Sequence, residues 1–333
     1  MKRFLLYTTI LFTFVSCIKD PEVHDNTYEG NFLALWEIID TKYCYLDYKQ
    51  IDWNAIKTKY QPNIYGLIPD DRTFFNLLGE MLNELKDGHV NLYSDFDISR
   101  YNMRNENDFT HFNSKILFSK KYLGSNYKIA GGLYYDKIEE NSIGYIYYGS
   151  FSDAFSDANI AYIFDYFQHC KGLIIDVRNN GGGNMNYAEK LASYFFTHST
   201  TCGYLAHKNG PGHSDFSELV PFSTNPHPYL RWNKKVVILT NRGSYSATND
   251  FVNRIMNAPK ATVIGISTGG GGGIPISREL PCGWMVRFSA SPTFDVKKQH
   301  IESGIAPDEV VTMEYGDEVN DHIIDRAIEI LKQ

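Results

Sequence analysis

No run of lysine or arginine follows the first three residues, and the formal charge is only −7. The electrostatic footprint of nucleic-acid binding is therefore missing, and no nucleic-acid partner is expected. The five cysteines form no CxxC and no Cys/His ligand spacing, so no metal site is indicated. Two readings of Cys44, Cys170, Cys202 and Cys282 stay open: free buried thiols, or a disulfide between Cys202 and Cys282. Internal repeats are lacking, and the glycines at 269–273 are the only low-complexity tract. What is there describes an ordered globular protein: hydrophobic residues make up 43% and aromatics 15% of 333 residues. That length suits one large domain, or a catalytic domain with a small helical one.

The N-terminus predicts export. Met1-Lys2-Arg3 is a short cationic start, and the apolar run Phe4–Val15 is too short for a permanent membrane span. It ends in Phe14-Val15-Ser16-Cys17, which resembles a bacterial lipobox with Phe where Leu is usual. The expectation is a signal peptide over 1–16 and a lipidated tether over 17–28, attached through Cys17. This makes a cell-envelope protein that meets the membrane only through its N-terminal lipid.

Beyond the tether the pattern turns helical. Phe32, Leu35, Trp36 and Ile39, then Phe74, Leu77, Leu78, Met81, Leu82 and Leu85, recur at helical spacing and predict a helical N-terminal region over 29–92. Asp70-Asp71 offers an N-cap for the second stretch, and Gly88 lies past its end. From 93 to 333 the chain reads as α/β. Short β-branched and aromatic strands are predicted at Ser142–Gly149 and Gly172–Val177, with a helix between them over Ser152–Phe167. A helix follows at Tyr187–Phe196, then a fully buried strand at Lys235–Thr240 and a helix at Ala247–Met256.

Two segments can carry chemistry. In Val236–Phe251 a buried strand runs through Gly-Ser-Tyr-Ser into a helix, which puts a hydroxyl where α/β proteins place reacting groups. Free amides and the helix dipole there favour developing negative charge. A bare N-cap role for Ser244 and Ser246 is the competing reading. The run Gly181-Gly182-Gly183 after the other strand permits close backbone approach and inward-pointing N–H groups, or simply a tight turn.

Together these segments resemble the tail-specific (C-terminal-processing) serine peptidases. Asn241–Asp250 is similar to that family's nucleophile segment, and Gly172-Leu-Ile-Ile-Asp-Val-Arg-Asn-Asn-Gly-Gly-Gly183 to its Asp-Leu-Arg-Asn-Asn-Gly-Gly-Gly hallmark. Gly304-Ile-Ala-Pro-Asp308 is similar to its Gly-Ile-x-Pro-Asp segment. All three occur in family order over roughly 85–311. The resemblance implies a crotonase/ClpP-like catalytic core, a nucleophile at Ser246, and an oxyanion hole from the Gly182 and Ala247 amides. It departs from the best-known branch at Gly265–Gly273, where the family lysine base is missing. A serine still needs a base within reach.

In the tricorn-like branch a histidine serves, and His89 in Asp87-Gly88-His89 falls in the matching place, with Gly88 where that branch has serine. An imidazole is suited to take the proton near neutrality. Glu302 matches the glutamate that completes the charge network, with Asp87 and Asp250 as rivals. Asp176 and Arg178 read as structural. The stretch between His89 and Ser142 is too short for a PDZ domain, and acyl transfer of this kind requires no cofactor. The substrate class implied is a peptide or unfolded protein. A catalytically silent binding protein on the same scaffold and an esterase acting on glycan or lipid esters are the competing functions. The aromatic segments at Tyr229–Trp232 and Trp284 read as core or rim.

Overall fold

The computed structural model describes residues 24–64, 70–102 and 111–333. The expected signal peptide and Cys17 lie outside the described residues. Three helices come first: α1 (Tyr28–Lys42), α2 (Trp53–Tyr60) and α3 (Asp71–Asn83). Then follow β1 (Asn91–Tyr93), β2 (Ile98–Arg100), α4 (Ser114–Leu117), β3 (Lys128–Ala130), β4 (Leu133–Ile138), β5 (Ile143–Tyr148), α5 (Asp157–Tyr166), β6 (Gly172–Asp176) and α6 (Met185–Ser193). The chain continues through β7 (Thr200–Leu205), β8 (Val220–Thr224), β9 (Lys235–Thr240), α7 (Ala247–Ile255), β10 (Ala261–Gly265), β11 (Gly273–Glu279), β12 (Met285–Phe294), β13 (Glu309–Val310) and α8 (His322–Lys332).

One sheet runs β13-β10-β9-β6-β5-β4-β3, parallel from β13 to β5 and antiparallel beyond. Its central strands are apolar throughout because both faces are covered. Alternation then sorts their side chains. Leu173, Ile175, Val236 and Ile238 enter one core with residues of α5, α6 and α7, while Ile174, Val237 and Leu239 enter another with α8. The second sheet, β2-β1-β12-β7-β8 with β11 also on β12, is antiparallel.

The predicted helices and strands form, but α5 starts at Asp157 rather than Ser152 and α6 ends at Ser193 rather than Phe196, while α3 is capped by Asp70, whose carboxylate accepts the Thr73 N–H at 3.0 Å. The N-terminal helices, however, share a core with the second sheet. Phe32, Leu35 and Ile39 of α1 and Phe74, Leu78 and Leu82 of α3 cluster with Leu92 of β1 and with Val286 and Phe288 of β12. The chain at 92–93 is thus inside a strand, not at a seam. All four cysteines of the described residues are free, which leaves no Cys202–Cys282 bridge. Cys202 Sγ instead faces Thr200 and Thr224.

Candidate active site

Strands β6 and β9 are adjacent and parallel, so their C-terminal loops emerge side by side. Each loop is tied to the other by polar side chains. Asn241 Oδ1 accepts the Asn179 N–H at 2.8 Å, and Asn241 Nδ2 donates to Asn179 Oδ1 at 2.9 Å. Ser244 Oγ donates to the Val177 carbonyl at 2.8 Å and accepts the Asn241 N–H at 3.2 Å. Ser244 is therefore a turn residue.

Ser246 ends that turn with φ 60° and ψ −118°, immediately before α7. A non-glycine residue so placed carries strain of about 1–3 kcal/mol, held only where neighbours over-determine it. Here the Ser246 N–H donates to the Gly270 carbonyl at 2.9 Å, and the Tyr245 N–H to the Asn180 carbonyl at 3.0 Å. The side chain makes no N-cap hydrogen bond to α7. Ser246 Oγ instead lies 2.8 Å from His89 Nε2.

His89 arrives from the other sheet, in the turn between α3 and β1, and is buried. Burial, with the repulsion of Arg287 and Lys49 against the pull of Asp87, holds the imidazole at about 4. It is neutral at pH 7, and a neutral ring 2.8 Å from a hydroxyl can accept its proton. Its Nδ1 is buried without a hydrogen-bond partner among the described residues. The ring packs against Tyr245, with centroids 5.0 Å apart.

The expected contact of Glu302 with the imidazole is not made. Glu302 Oε1 pairs with Lys49 Nζ at 2.9 Å, and Oε2 accepts the Gly272 N–H at 2.9 Å. Burial and the nearby charge of Asp87, against Lys49, raise Glu302 to about 7. Asp87 is the closer carboxylate, but it too meets the main chain: its Oδ1 accepts the His89 N–H at 2.8 Å. Its Oδ2 accepts from Tyr43 Oη at 2.9 Å and Ser289 Oγ at 3.1 Å. Against the penalty of burial, Lys49 and His89 hold Asp87 below the usual carboxylate range. Asp250 belongs elsewhere, with its carboxylate on Arg254 Nε at 2.8 Å. Lys49 had no signal in the sequence, since its partners lie far along the chain.

Gly182 sits against the nucleophile. A Cβ there would come within 2.7 Å of the Tyr245 carbonyl and 2.8 Å of Ser246 Cβ, and its φ is 98°. Its N–H, assigned to an oxyanion from sequence, donates instead to Asn180 Oδ1 at 3.0 Å, because Asn180 closes its own turn. An oxyanion has to replace that acceptor to be held there. The Ala247 N–H is the first amide of α7, one of those with no carbonyl four residues back inside the helix. A small cavity of about 30 Å³ adjoins Ser246, lined by Met185, Ala247, Asp250, Ile274, Pro275 and Ile301 among others.

Asp176 and Arg178 are structural, as read. The buried guanidinium forks onto Asp176 (Nε to Oδ1 at 2.9 Å, Nη2 to Oδ2 at 2.6 Å) and reaches Asp321 Oδ2 at 2.9 Å. Asp321 in turn caps α8. Trp232 lies in the core and Tyr229 is exposed, while Trp284 packs on Phe74, Phe75 and Phe96.

Residues 142–311 match the model of peptidase family S41, and residues 24–83 match the tricorn protease C1 domain. The chain belongs to peptidase family S41. A crystal structure of a candidate peptidase from Parabacteroides merdae is 45% identical, covering 93% of this chain and 98% of that one, with a TM-score of 0.87. A CtpA-like serine protease of Staphylococcus saprophyticus is 29% identical over 42% of this chain and 27% of its own. The carboxy-terminal processing protease CtpB of Bacillus subtilis is 26% identical over 44% of this chain and 28% of its own. The chain thus matches about a quarter of the length of these curated relatives. The S41 match spans β5 to the residue after β13, so it takes in Ser246, Gly182 and Glu302. His89 and Lys49 lie outside it.

Proposed function

We propose that this S41 chain is a serine-type peptidase with Ser246 as nucleophile and His89 as its base. The observation that carries the reading is the 2.8 Å approach of His89 Nε2 to a hydroxyl on a strained turn at a helix N-terminus. Ser246 Oγ attacks the peptide carbonyl carbon while its proton passes to His89 Nε2. The carbonyl oxygen, now negative, is received by the Ala247 N–H and by the Gly182 N–H once it displaces Asn180 Oδ1. His89 returns the proton to the leaving amine, leaving an ester on Ser246. Water, deprotonated by His89, then releases the acid and restores the serine.

A fluorophosphonate probe tests the assignment. Wild type should be labelled, and Ser246→Ala and His89→Ala should not. A folded wild type that resists labelling would move the chain to the silent-carrier reading. Turnover of a peptide library against simple acyl esters separates a peptidase from an esterase. Anchoring through Cys17 to a bacterial membrane is supported by Phe4–Cys17, and radiolabelled palmitate should enter wild type and be absent from Cys17→Ala.

A further inference from the structure

His89 and Ser246 stand on different sheets, 157 residues apart in sequence, yet meet at 2.8 Å. One side chain touches the supports of both. Lys49, in the turn after α1, places Nζ 2.9 Å from Glu302 Oε1 and 3.6 Å from Asp87 Oδ2. It also donates to the Leu85 and Lys86 carbonyls at 3.4 and 3.5 Å, just past the end of α3. Both carboxylates are buried, and the lysine is nearly so.

Two arms lead from this ammonium. Through Asp87 it reaches the main-chain N–H of His89. Through Glu302 it reaches the glycine loop: the carboxylate accepts from Gly272 N–H, the main-chain carbonyl from Gly271 N–H, and the neighbouring Gly270 carbonyl from Ser246 N–H. We propose that Lys49 is a positioning residue of the site, a single cation from the N-terminal helical region that holds the turn bearing the base and the loop bearing the nucleophile in register. The inference deepens the peptidase reading and rests on it for its catalytic meaning.

The charges decide what removal does. Lys49 faces Asp87, Glu302, Tyr43, Tyr45 and Cys44; His89 faces Asp87, Arg287, Lys49 and Tyr245. Without the ammonium neither carboxylate has its cation: Glu302, already raised to about 7 beside Asp87, is driven further toward its protonated form, nothing then ties it to Asp87 across the gap, and the loops they hold part. Displacement of about 1 Å in such a pair slows attack about 100-fold. The imidazole also loses a repelling cation, so its protonation moves to higher pH.

The test uses the full chain as wild type, Lys49→Met and Lys49→Arg, with fluorophosphonate labelling rates from pH 3.5 to 9 and NMR titration of the His89 ring. Lys49→Met should label about 100-fold more slowly, with the acid limb and the His89 titration raised by about one pH unit. Lys49→Arg, which keeps the charge, should recover most of the rate and the original limb. A wild-type rate with an unmoved limb in Lys49→Met overturns the proposal, as does a slow variant whose limb is unmoved and which arginine does not rescue. If Lys49→Met does not fold, Lys49→Gln takes its place under the same criteria. If wild type is not labelled, the peptidase reading fails, while the NMR shift still decides the role of Lys49: raised in the neutral variant it stands, unchanged it falls.

Discussion

Two cations in this molecule each stand between two buried carboxylates, and they do different work. Arg178 is wholly buried just past the end of β6, forked onto Asp176 two residues away and reaching Asp321 at the start of α8. Lys49 lies at the junction of the N-terminal helices with both sheets, a single ammonium between Asp87 and Glu302. A guanidinium fork fixes a plane and suits architecture. An ammonium fixes only a point, and Glu302 beside it is still raised to about 7 by burial and the charge of Asp87, against the pull of Lys49. The comparison teaches that burial of charge alone does not mark a functional site. The neighbours of the charge mark it.

The strongest way to break this contrast is Arg178→Met. It leaves Asp176 and Asp321 buried without a cation, and should lower unfolding free energy by about 3–5 kcal/mol. Chemical denaturation reads this directly, and a loss below 1 kcal/mol would end the architectural assignment.

A second prediction sharpens the titratable side. His89 is held at about 4 against an ordinary 6.5, chiefly by burial. Between those values the unfolded chain binds a proton that the folded one does not. Stability present above pH 6.5 is therefore lost as pH falls toward 4, by ~3 kcal/mol. Glu302 works with the opposite sign: raised to about 7, its contribution is complete below about 4.5 and is lost as pH rises through 7. The difference in Tm between wild type and His89→Gln isolates the histidine. It should move in favour of the variant on going from pH 6.5 to 4, and a constant difference would sink the assignment.

The smallest effect concerns the nucleophile turn. Ser246→Gly should abolish labelling yet raise stability by about 1 kcal/mol, because glycine accepts φ 60° without strain. A destabilised variant would mean that the serine is held there at no conformational cost.

Half of this site was legible in the sequence, and the reason is physical. Strands β6 and β9 are buried on both faces, so their sequences are continuous apolar runs that announce themselves, and the loops that follow them carry glycine, asparagine and serine in compact segments. The α/β reading comes from that locality, and the family resemblance carried by those compact segments places Ser246. The second sheet left no such mark. Strands β1 and β2 are three residues each, and β11 ends in exposed Ser277, Arg278 and Glu279. Lys49 left none either, since a lone lysine between Tyr48 and Gln50 looks like surface until Asp87 and Glu302 close over it. Glu302 was placed by its match to the glutamate of the tricorn-like branch, but its partner was misread because Lys49 stands where an imidazole was expected. Gly182 was picked from the glycine run through the family resemblance, while the capture of its N–H by Asn180 depends on a turn geometry that residue types do not specify.

That His89 and Ser246 are carried by different sheets has a consequence for the life of the chain. Strands β6 and β9 can pair, and the serine can take its place on the elbow, before the helices and β1 have docked. Such an intermediate owns a nucleophile with no base to activate it. Hydrolytic power therefore requires both sheets to be in place against one another, since neither alone carries both the nucleophile and its base.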